Sequence, residues 1–294
     1  MSDAEHLSRI RPQLAGRAGS VSREVNSQGA RVENEPWFRI VARAGIAARG
    51  VIYVLLGLLA FDIGLNGSAP AQPSGQGALQ EVARQPAAPL LLVALAAGLG
   101  AYALWRLVQA AAGRSNARDG RAGLLRLGWL AIAAVYLALC LRAVELIVGR
   151  SSSSGPSSDP RPWAAKVLSW PGGPELLGLG GACLVIGGAS LAVWGFVRDY
   201  EKDLALERLA RALSRVVKAL GALGDLSRGF LIGLIGLYLL SAAILGDPRR
   251  AKSTDSALKS ILRTGYGPEL IGLVAAGLCC FALFSFCEAR LRRL

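Results

Sequence analysis

The sequence predicts an all-α integral membrane protein, with six transmembrane helices arranged as three tandem helical hairpins around a pseudo-threefold axis. Of the 294 residues, 53% are hydrophobic and 18% are charged, whereas about a quarter of the residues in a soluble domain are charged. The net charge is +13, and the basic residues cluster between long uncharged stretches. This distribution is typical of polytopic membrane proteins. An internal repeat, described below, predicts the hairpins.

Six apolar stretches follow a polar segment at residues 1–35, which we expect to be a cytoplasmic tail. Each stretch is close to the roughly 20 residues that a helix needs to cross the hydrocarbon core. Because lipid offers no hydrogen-bond partners, single spans of this length must be helical. No signal-peptide core precedes the first stretch, so we expect it to remain as a membrane anchor. The predicted spans are 44–65, 89–112, 124–149, 174–197, 228–246 and 268–287.

The distribution of lysine and arginine predicts the orientation of the spans, because short cytoplasmic loops are enriched in these residues. The two tails and the connections after the second and fourth spans hold 22 Lys and Arg residues, and the other three connections hold nine. We therefore expect both termini in the cytoplasm and the protein in the bacterial cytoplasmic (inner) membrane.

The chain repeats one hairpin three times. A shift of 179 residues places Arg49 on Arg228 and Pro89 on Pro268 without a gap, and a shift of 83 places Tyr53 on Tyr136 in a more divergent middle copy. Parallel repeats of this kind imply an axis along the membrane normal. The predicted repeat units cover residues 36–121, 122–199 and 221–294.

Four segments carry a resemblance to a known family. They read ARAGIAARGVIYVLLGLLAF, QGALQEVARQP, AYALWRLVQA and EARLRRL. The chain resembles the bacterial membrane-protein family known as domain of unknown function 1206, from about residue 37 to residue 294, most strongly in the first and third units. The resemblance implies three tandem two-helix units and a membrane location. It implies no activity and no catalytic residue.

Residues 200–220, between the fourth and fifth spans, are predicted to form an amphipathic cytoplasmic helix. An apolar stripe runs along one face, and basic residues recur at helical spacing on another. One interpretation places this helix on the anionic surface of the inner leaflet. The other packs it on the protein itself. The candidate membrane-surface contacts are Arg208, Arg211, Arg215 and Lys218.

Charged residues inside the spans are functional candidates. Arg49 and Arg228 occupy equivalent places in the repeated G-x-x-x-R-G pattern, one to two turns inside the cytoplasmic boundary. Their side chains could snorkel to the inner head groups. Alternatively, they could form ion pairs between repeats, with Glu288 or Asp225, or bind an anionic lipid. We group Arg49, Arg228 and Glu288 as candidate inner-mouth or lipid contacts.

The same shifts align a second set of polar residues. Asp62, Glu145 and Ser241 fall at equivalent positions in the outer third of the first helix of each unit, and Arg142 lies three residues before Glu145. Around a pseudo-threefold axis these groups would form a polar ring, as in a pore or a solute site. The alternative is a location at the outer membrane interface.

Composition limits the chemistry that the chain can perform. Its one histidine, His6, lies in the polar tail, and its one methionine is the first residue. Side-chain ligands for haem or a catalytic metal are therefore scarce, and we expect no cofactor, no metal site, no catalytic residue and no enzymatic activity.

The preferred function is a non-catalytic structural, accessory or membrane-organising protein; the alternative is a channel or transporter along the axis. The expected partners are the lipid bilayer, anionic lipids at the cytoplasmic face, and a second copy or a larger membrane complex, but no nucleic acid.

Overall fold

The structure is a computed structural model, and it describes residues 36–67, 69, 71–112, 121–149, 160–197, 204, 210–262 and 264–292. These residues form nine α-helices and a short 3-10 helix at Pro248–Arg250, and no strand occurs among them. The predicted tail at residues 1–35 lies outside the described residues.

Every repeat unit has the same order of elements, namely a long helix, a short helix and a second long helix. The long helices are α1 (Pro36–Asn66), α3 (Ala88–Ala112), α4 (Arg121–Ile147), α6 (Gly173–Val197), α7 (Arg211–Leu245) and α9 (Gly267–Leu291). The short helices are α2 (Gly75–Ala83), α5 (Arg161–Leu168) and α8 (Thr254–Leu262). All six long helices are long and apolar enough to cross a membrane, which confirms the six predicted spans.

The short helices fold back into the bundle at one end. Each of them buries apolar side chains completely, among them Leu79 of α2, Ala164 of α5 and Leu258 of α8. The Ser74 hydroxyl begins α2 by accepting a hydrogen bond of 3.1 Å from the backbone N–H of Gly77, which satisfies a donor that the first turn of a helix leaves unpaired. We refer to this end as the loop end, and to the opposite end, where α1 begins and α9 ends, as the terminal end.

Residues 200–203 and 205–209 of the predicted amphipathic helix lie outside the described residues, and residues 211–220 do not form a separate helix. Helix α7 begins at Arg211 and continues without interruption for 35 residues to Leu245. At about 1.5 Å per residue this is ~52 Å, well beyond the ~30 Å hydrocarbon core. No proline interrupts this stretch, and Val217 on its apolar stripe packs against Phe284 of α9 and Leu204. Val217 of the stripe therefore binds the protein itself, whereas Leu213 and Val216 are 49% and 51% exposed. Residues 211–220 form the first turns of α7.

The six long helices follow a cyclic packing order. The second long helix of each unit packs on the first long helix of the next, so that α3 packs on α4, α6 on α7, and α9 on α1. The last of these contacts connects the end of the chain with its beginning, as expected for units related by a pseudo-threefold axis. Within units, α1 packs on α3 and α7 packs on α9, but no interface of this kind joins α4 and α6 among the described residues.

Equivalent glycines have different surroundings in the closed hairpins and in the open middle hairpin. A Cβ at Gly45 would lie 2.6 Å from the backbone nitrogen of Tyr102, and a Cβ at Gly224 would lie 2.5 Å from the Cβ of Phe281. These glycines therefore let the two long helices of units one and three approach closely. In unit two, Gly128 corresponds to these two glycines, and Gly187 corresponds to Tyr102 and Phe281. A Cβ at Gly128 or at Gly187 would meet nothing within 4 Å. We call the opening between α4 and α6 the α4/α6 seam.

Helix α6 is instead held against α7 by glycines at seven-residue spacing. A Cβ at Gly188 would lie 2.5 Å from the carbonyl oxygen of Gly229, and a Cβ at Gly181 would lie 2.7 Å from the backbone nitrogen of Leu240. Close backbone approach of this kind drives helix association in lipid, where the hydrophobic effect does not. The middle unit is thus attached through its neighbours, α4 to α3 and α6 to α7.

Candidate functional site

A buried ion pair joins the first and last membrane helices. Nη2 of Arg49 on α1 lies 2.5 Å from Oε2 of Glu288 on α9, and the two side chains are only 5% and 4% exposed. Glycines on α1 allow this approach, because a Cβ at Gly50 would lie 3.3 Å from the carbonyl oxygen of Ala282. The hypothesis of an ion pair between repeats is therefore correct for Arg49, and the snorkelling alternative is wrong for this residue.

Arg49 is held by further hydrogen bonds. Its Nη1 donates to the hydroxyl of Tyr102 at 2.8 Å, and its Nη2 donates to the hydroxyl of Ser285 at 3.1 Å. Glu288 also accepts a hydrogen bond from Arg292, one turn further along α9. The Nε of Arg49 is buried without a hydrogen-bond partner among the described residues.

The second repeated arginine shares an aromatic ring with the first. The guanidinium carbon of Arg228 is 4.1 Å from the centroid of Phe281, and that of Arg49 is 4.9 Å from the same centroid. Arg228 donates from Nε to the hydroxyl of Tyr53 at 3.0 Å and from Nη1 to Asp225 at 3.1 Å. Its side chain is 19% exposed, so it is more accessible than Arg49.

Two more arginines extend the cluster around Tyr102 and Trp105. Arg106 donates to the Tyr102 hydroxyl from Nε at 3.1 Å and from Nη2 at 2.7 Å. The Trp105 ring lies between Arg106, at 4.6 Å, and Arg292, at 4.5 Å. Tyr136 of α4 packs its ring 4.5 Å from that of Tyr102, so unit two contributes to the cluster as well.

The described residues give this arginine cluster an excess of positive charge. It contains four guanidinium groups, those of Arg49, Arg106, Arg228 and Arg292, and two carboxylates, those of Asp225 and Glu288. Cation–π contacts with four aromatic rings, those of Tyr53, Tyr102, Trp105 and Phe281, compensate part of the charge. Among the described groups, positive charge exceeds negative charge, and this surplus favours an anion over a cation. The arrangement can therefore attract and hold an anionic group.

The candidate inner-mouth residues thus come together, and several of their partners were missed by sequence reasoning. The missed residues are Tyr53, Tyr102, Trp105, Arg106, Tyr136, Phe281, Ser285 and Arg292. The repeat itself contained a signal for some of them. The shift of 179 that aligns Arg49 with Arg228 also aligns Tyr102 with Phe281, and aromatic residues at matching places beside matching arginines indicate cation–π pairs.

The proposed polar ring is not joined by hydrogen bonds. Asp62 accepts from Asn66 at 2.5 Å, and Glu145 accepts from Arg142 at 2.7 Å, which confirms that i, i+3 pair. Ser241 donates to the carbonyl of Tyr238 at 2.8 Å. Each of these polar groups therefore finds its partner within its own helix, and none of the described hydrogen bonds connects two of the three helices at this level.

The predicted membrane-surface residues fall on the long first part of α7. Arg211 and Arg215 are exposed there, and Lys218 is half-buried. Arg208 lies outside the described residues. The basic side chains thus extend the positive charge of the arginine cluster toward the protein surface at the terminal end.

The described ranges hold no group of three or more His, Cys, Asp and Glu residues that could bind a metal ion. The five cysteines, Cys140, Cys183, Cys279, Cys280 and Cys287, are free thiols.

Comparisons with known proteins agree with the fold. The uncharacterized protein YxxB of Bacillus subtilis (strain 168) is 29% identical over 254 residues, which cover 86% of this chain and 90% of that protein. No solved structure matches the chain. The family described as Domain of Unknown Function (DUF1206) matches three tandem segments, at residues 44–113, 127–198 and 223–292. These segments coincide with the three helical units and together cover more than half of the chain, which belongs to the DUF1206 family.

Proposed function

We propose that this multi-pass membrane protein is a non-catalytic membrane-organising protein that binds anionic phospholipid at its terminal end. The arginine cluster is the observation that carries the proposal, because it places more positive than negative charge inside a membrane-spanning bundle. Residues of this kind within spans mark functional sites, since a charge is expensive there. The chain repeats this arginine in two of its three units, at Arg49 and Arg228.

The depth of the cluster supports a lipid phosphate as the ligand. Arg49 and Arg228 each lie 17 residues before the last residue of their helices, Asn66 and Leu245. At about 1.5 Å per residue this is ~26 Å, slightly less than the ~30 Å hydrocarbon core. The guanidinium groups therefore lie near the boundary between acyl chains and head groups, where a phospholipid carries its phosphate.

The charge on the surface of the same end supports an anionic lipid over a zwitterionic one. Arg211 and Arg215 are exposed on the part of α7 that extends past this boundary. Lys and Arg near an anionic leaflet contribute about 1 kcal/mol each to membrane attraction. With the basic face toward the cytoplasm, these residues would meet the anionic inner leaflet of the bacterial cytoplasmic membrane.

The test is the binding of phosphatidylglycerol to the full-length protein. The protein is reconstituted in nanodiscs with phosphatidylglycerol or with phosphatidylcholine alone, and retained lipid is counted by native mass spectrometry. We expect tight phosphatidylglycerol binding that Arg228→Gln weakens by about 10-fold or more, because hydrogen bonds to charged groups contribute about 1.5–3 kcal/mol. Arg250→Gln is the matched control, since this exposed arginine lies at the loop end. Equal retention of both lipids would refute the proposal.

A channel or transporter along the pseudo-threefold axis is the second candidate. The cyclic helix order favours it, as do the partly exposed side chains of Tyr53 and Arg228. Chloride or potassium flux into proteoliposomes, with Asp62→Asn/Glu145→Gln as the test variant, separates the two functions. A membrane-organising protein gives the flux of empty liposomes with and without these changes. A channel gives a higher flux that the double variant alters.

A further inference from the structure

The arginine cluster contacts both helices of the α4/α6 seam. Arg228 reaches from α7 to Tyr53 on α1, and Tyr136 of α4 packs its ring 4.5 Å from that of Tyr102. A Cβ at Gly195 of α6 would lie 2.9 Å from the Cβ of Asp225, the carboxylate partner of Arg228. Helices from all three units therefore surround the cluster. The helix pairs α1–α3 and α7–α9 are packed, and the α4/α6 seam is the interface of this type that the described residues do not form.

The walls of the seam are apolar and poorly covered. Only 17% of the apolar window of α4 and of α6 is buried within the protein, compared with 50% for α1 and α9. At the positions that would close the hairpin, Gly128 and Gly187 are exposed, and the Arg49 position is occupied in unit two by Ile132. The seam thus offers an apolar surface that leads toward a positively charged centre.

The two repeated arginines differ in their remaining capacity for a ligand. Arg49 is fixed by Glu288, Tyr102 and Ser285 and is closed to solvent. Arg228 has one carboxylate partner, Asp225, and keeps a side-chain exposure of 19%. A ligand that approaches from the membrane would therefore meet Arg228, and Arg49 would support it through the shared Phe281 ring.

We propose that the α4/α6 seam is the binding site of one anionic phospholipid of the terminal-end leaflet, with its phosphate at Arg228 and its acyl chains between α4 and α6. This inference rests on the proposed function, and it specifies the site, the entry route and the arginine that binds the ligand. Charge complementarity selects the occupant, because the described groups of the cluster carry more positive than negative charge at head-group depth and the seam walls carry apolar side chains.

Photo-cross-linking identifies the occupant of the seam. A benzoylphenylalanine residue is placed at Gly187, where an added Cβ would meet no neighbouring atom within 4 Å. The full-length protein is irradiated in vesicles of phosphatidylglycerol and phosphatidylcholine, with the same residue at Gly272 of α9 as the matched control, because a Cβ there also meets nothing within 4 Å. We expect a phosphatidylglycerol adduct at position 187 that exceeds the adduct at 272 and is lost with Arg228→Gln. An adduct to a second copy of the chain, to another protein, or no excess over the control would overturn the proposal.

Filling the seam provides an independent test that leaves all arginines in place. Gly128→Phe and Gly187→Phe should each reduce the number of phosphatidylglycerol molecules retained in native mass spectrometry by one, whereas Gly272→Phe should retain the wild-type number. The melting temperature of each variant shows that it folds. If phosphatidylglycerol binding depends on Arg228 but is unchanged in both seam variants, the seam is not the site and the proposed function stands. If binding shows no preference for the anionic lipid, the proposed function itself fails.

Discussion

Arg49 in the first membrane helix and Glu288 in the last form an ion pair of 2.5 Å, 239 positions apart in the chain and almost closed to solvent. The pair fastens unit three to unit one and thereby closes the cyclic order of the units. It also fixes one edge of the arginine cluster, since Glu288 accepts from Arg292 as well. The contact therefore has a structural role even where the rest of the cluster binds a ligand.

The first prediction concerns this ion pair. Glu288→Gln should lower the free energy of unfolding by about 3–5 kcal/mol, because it leaves the Arg49 charge buried without its counter-charge. The measurement is thermal or SDS-induced unfolding of the purified protein. Glu81→Gln is the control, since Glu81 forms an ion pair with the exposed Arg84 and should change stability by less than about 1 kcal/mol. An unchanged melting temperature in Glu288→Gln would show that the pair is not structural.

The second prediction concerns the packing of α6 on α7. Gly188→Ala should destabilise the protein by about 1–3 kcal/mol, because its methyl group would overlap the backbone of Gly229 and Gly233. Its neighbour Gly187 is the control on the same helix, since a methyl group there meets nothing within 4 Å. Gly187→Ala should be neutral or stabilising by up to about 1 kcal/mol, as alanine favours the helix. Equal effects of the two substitutions in SDS unfolding would contradict the described interface.

The third prediction concerns the Tyr102 hydroxyl, which accepts hydrogen bonds from Arg49 and Arg106. Tyr102→Phe keeps the ring and removes the acceptor, so two guanidinium donors lose a partner in a buried place. We expect a loss of about 1–3 kcal/mol in unfolding free energy. Tyr266→Phe is the matched control, because Tyr266 is 83% exposed. If both variants melt like the wild type, the hydroxyl does not support the cluster.

The fourth prediction concerns orientation. The excess of Lys and Arg at the terminal end should hold that end in the cytoplasm. A green fluorescent protein fused after residue 294 should therefore fluoresce, and alkaline phosphatase fused after residue 67 or 160, at the loop end, should be active. Active phosphatase at the C-terminus would reverse the orientation and move the arginine cluster to the opposite leaflet.

The repeated unit was visible in the sequence because the amino acids that define it are uncommon in apolar spans. Arg49 and Arg228 match under one shift, and the flanking glycines match with them. The spacing of the repeat along the chain and the length of the apolar spans were therefore enough to predict six helices in three units. The continuity of α7 was not predictable in this way, because an amphipathic stripe has the same pattern on a membrane surface and against a neighbouring helix.

The candidate site was predicted in part. Arg49 and Glu288 were recognised as possible partners because charges inside spans require compensation. The role of Phe281 is visible only through the repeat, which aligns it with Tyr102, since an aromatic residue in an apolar span is ordinarily a packing residue. The open seam was hidden, because Gly128 looks like Gly45 and Gly224, which close the other two hairpins. The difference lies at the residue opposite Gly128. Unit two has Gly187 there, whereas units one and three have Tyr102 and Phe281.

The pairing of Arg49 with Glu288 also has a consequence for the order in which the helices pack during biosynthesis. A ribosome adds about 5–20 residues per second, so the 239 residues between the two partners correspond to roughly 12–48 s of translation. Throughout this interval Arg49 is already part of an inserted or inserting segment, and its carboxylate has not yet been made. We therefore expect the first helix to reach its final packing only after the last helix of the chain has emerged.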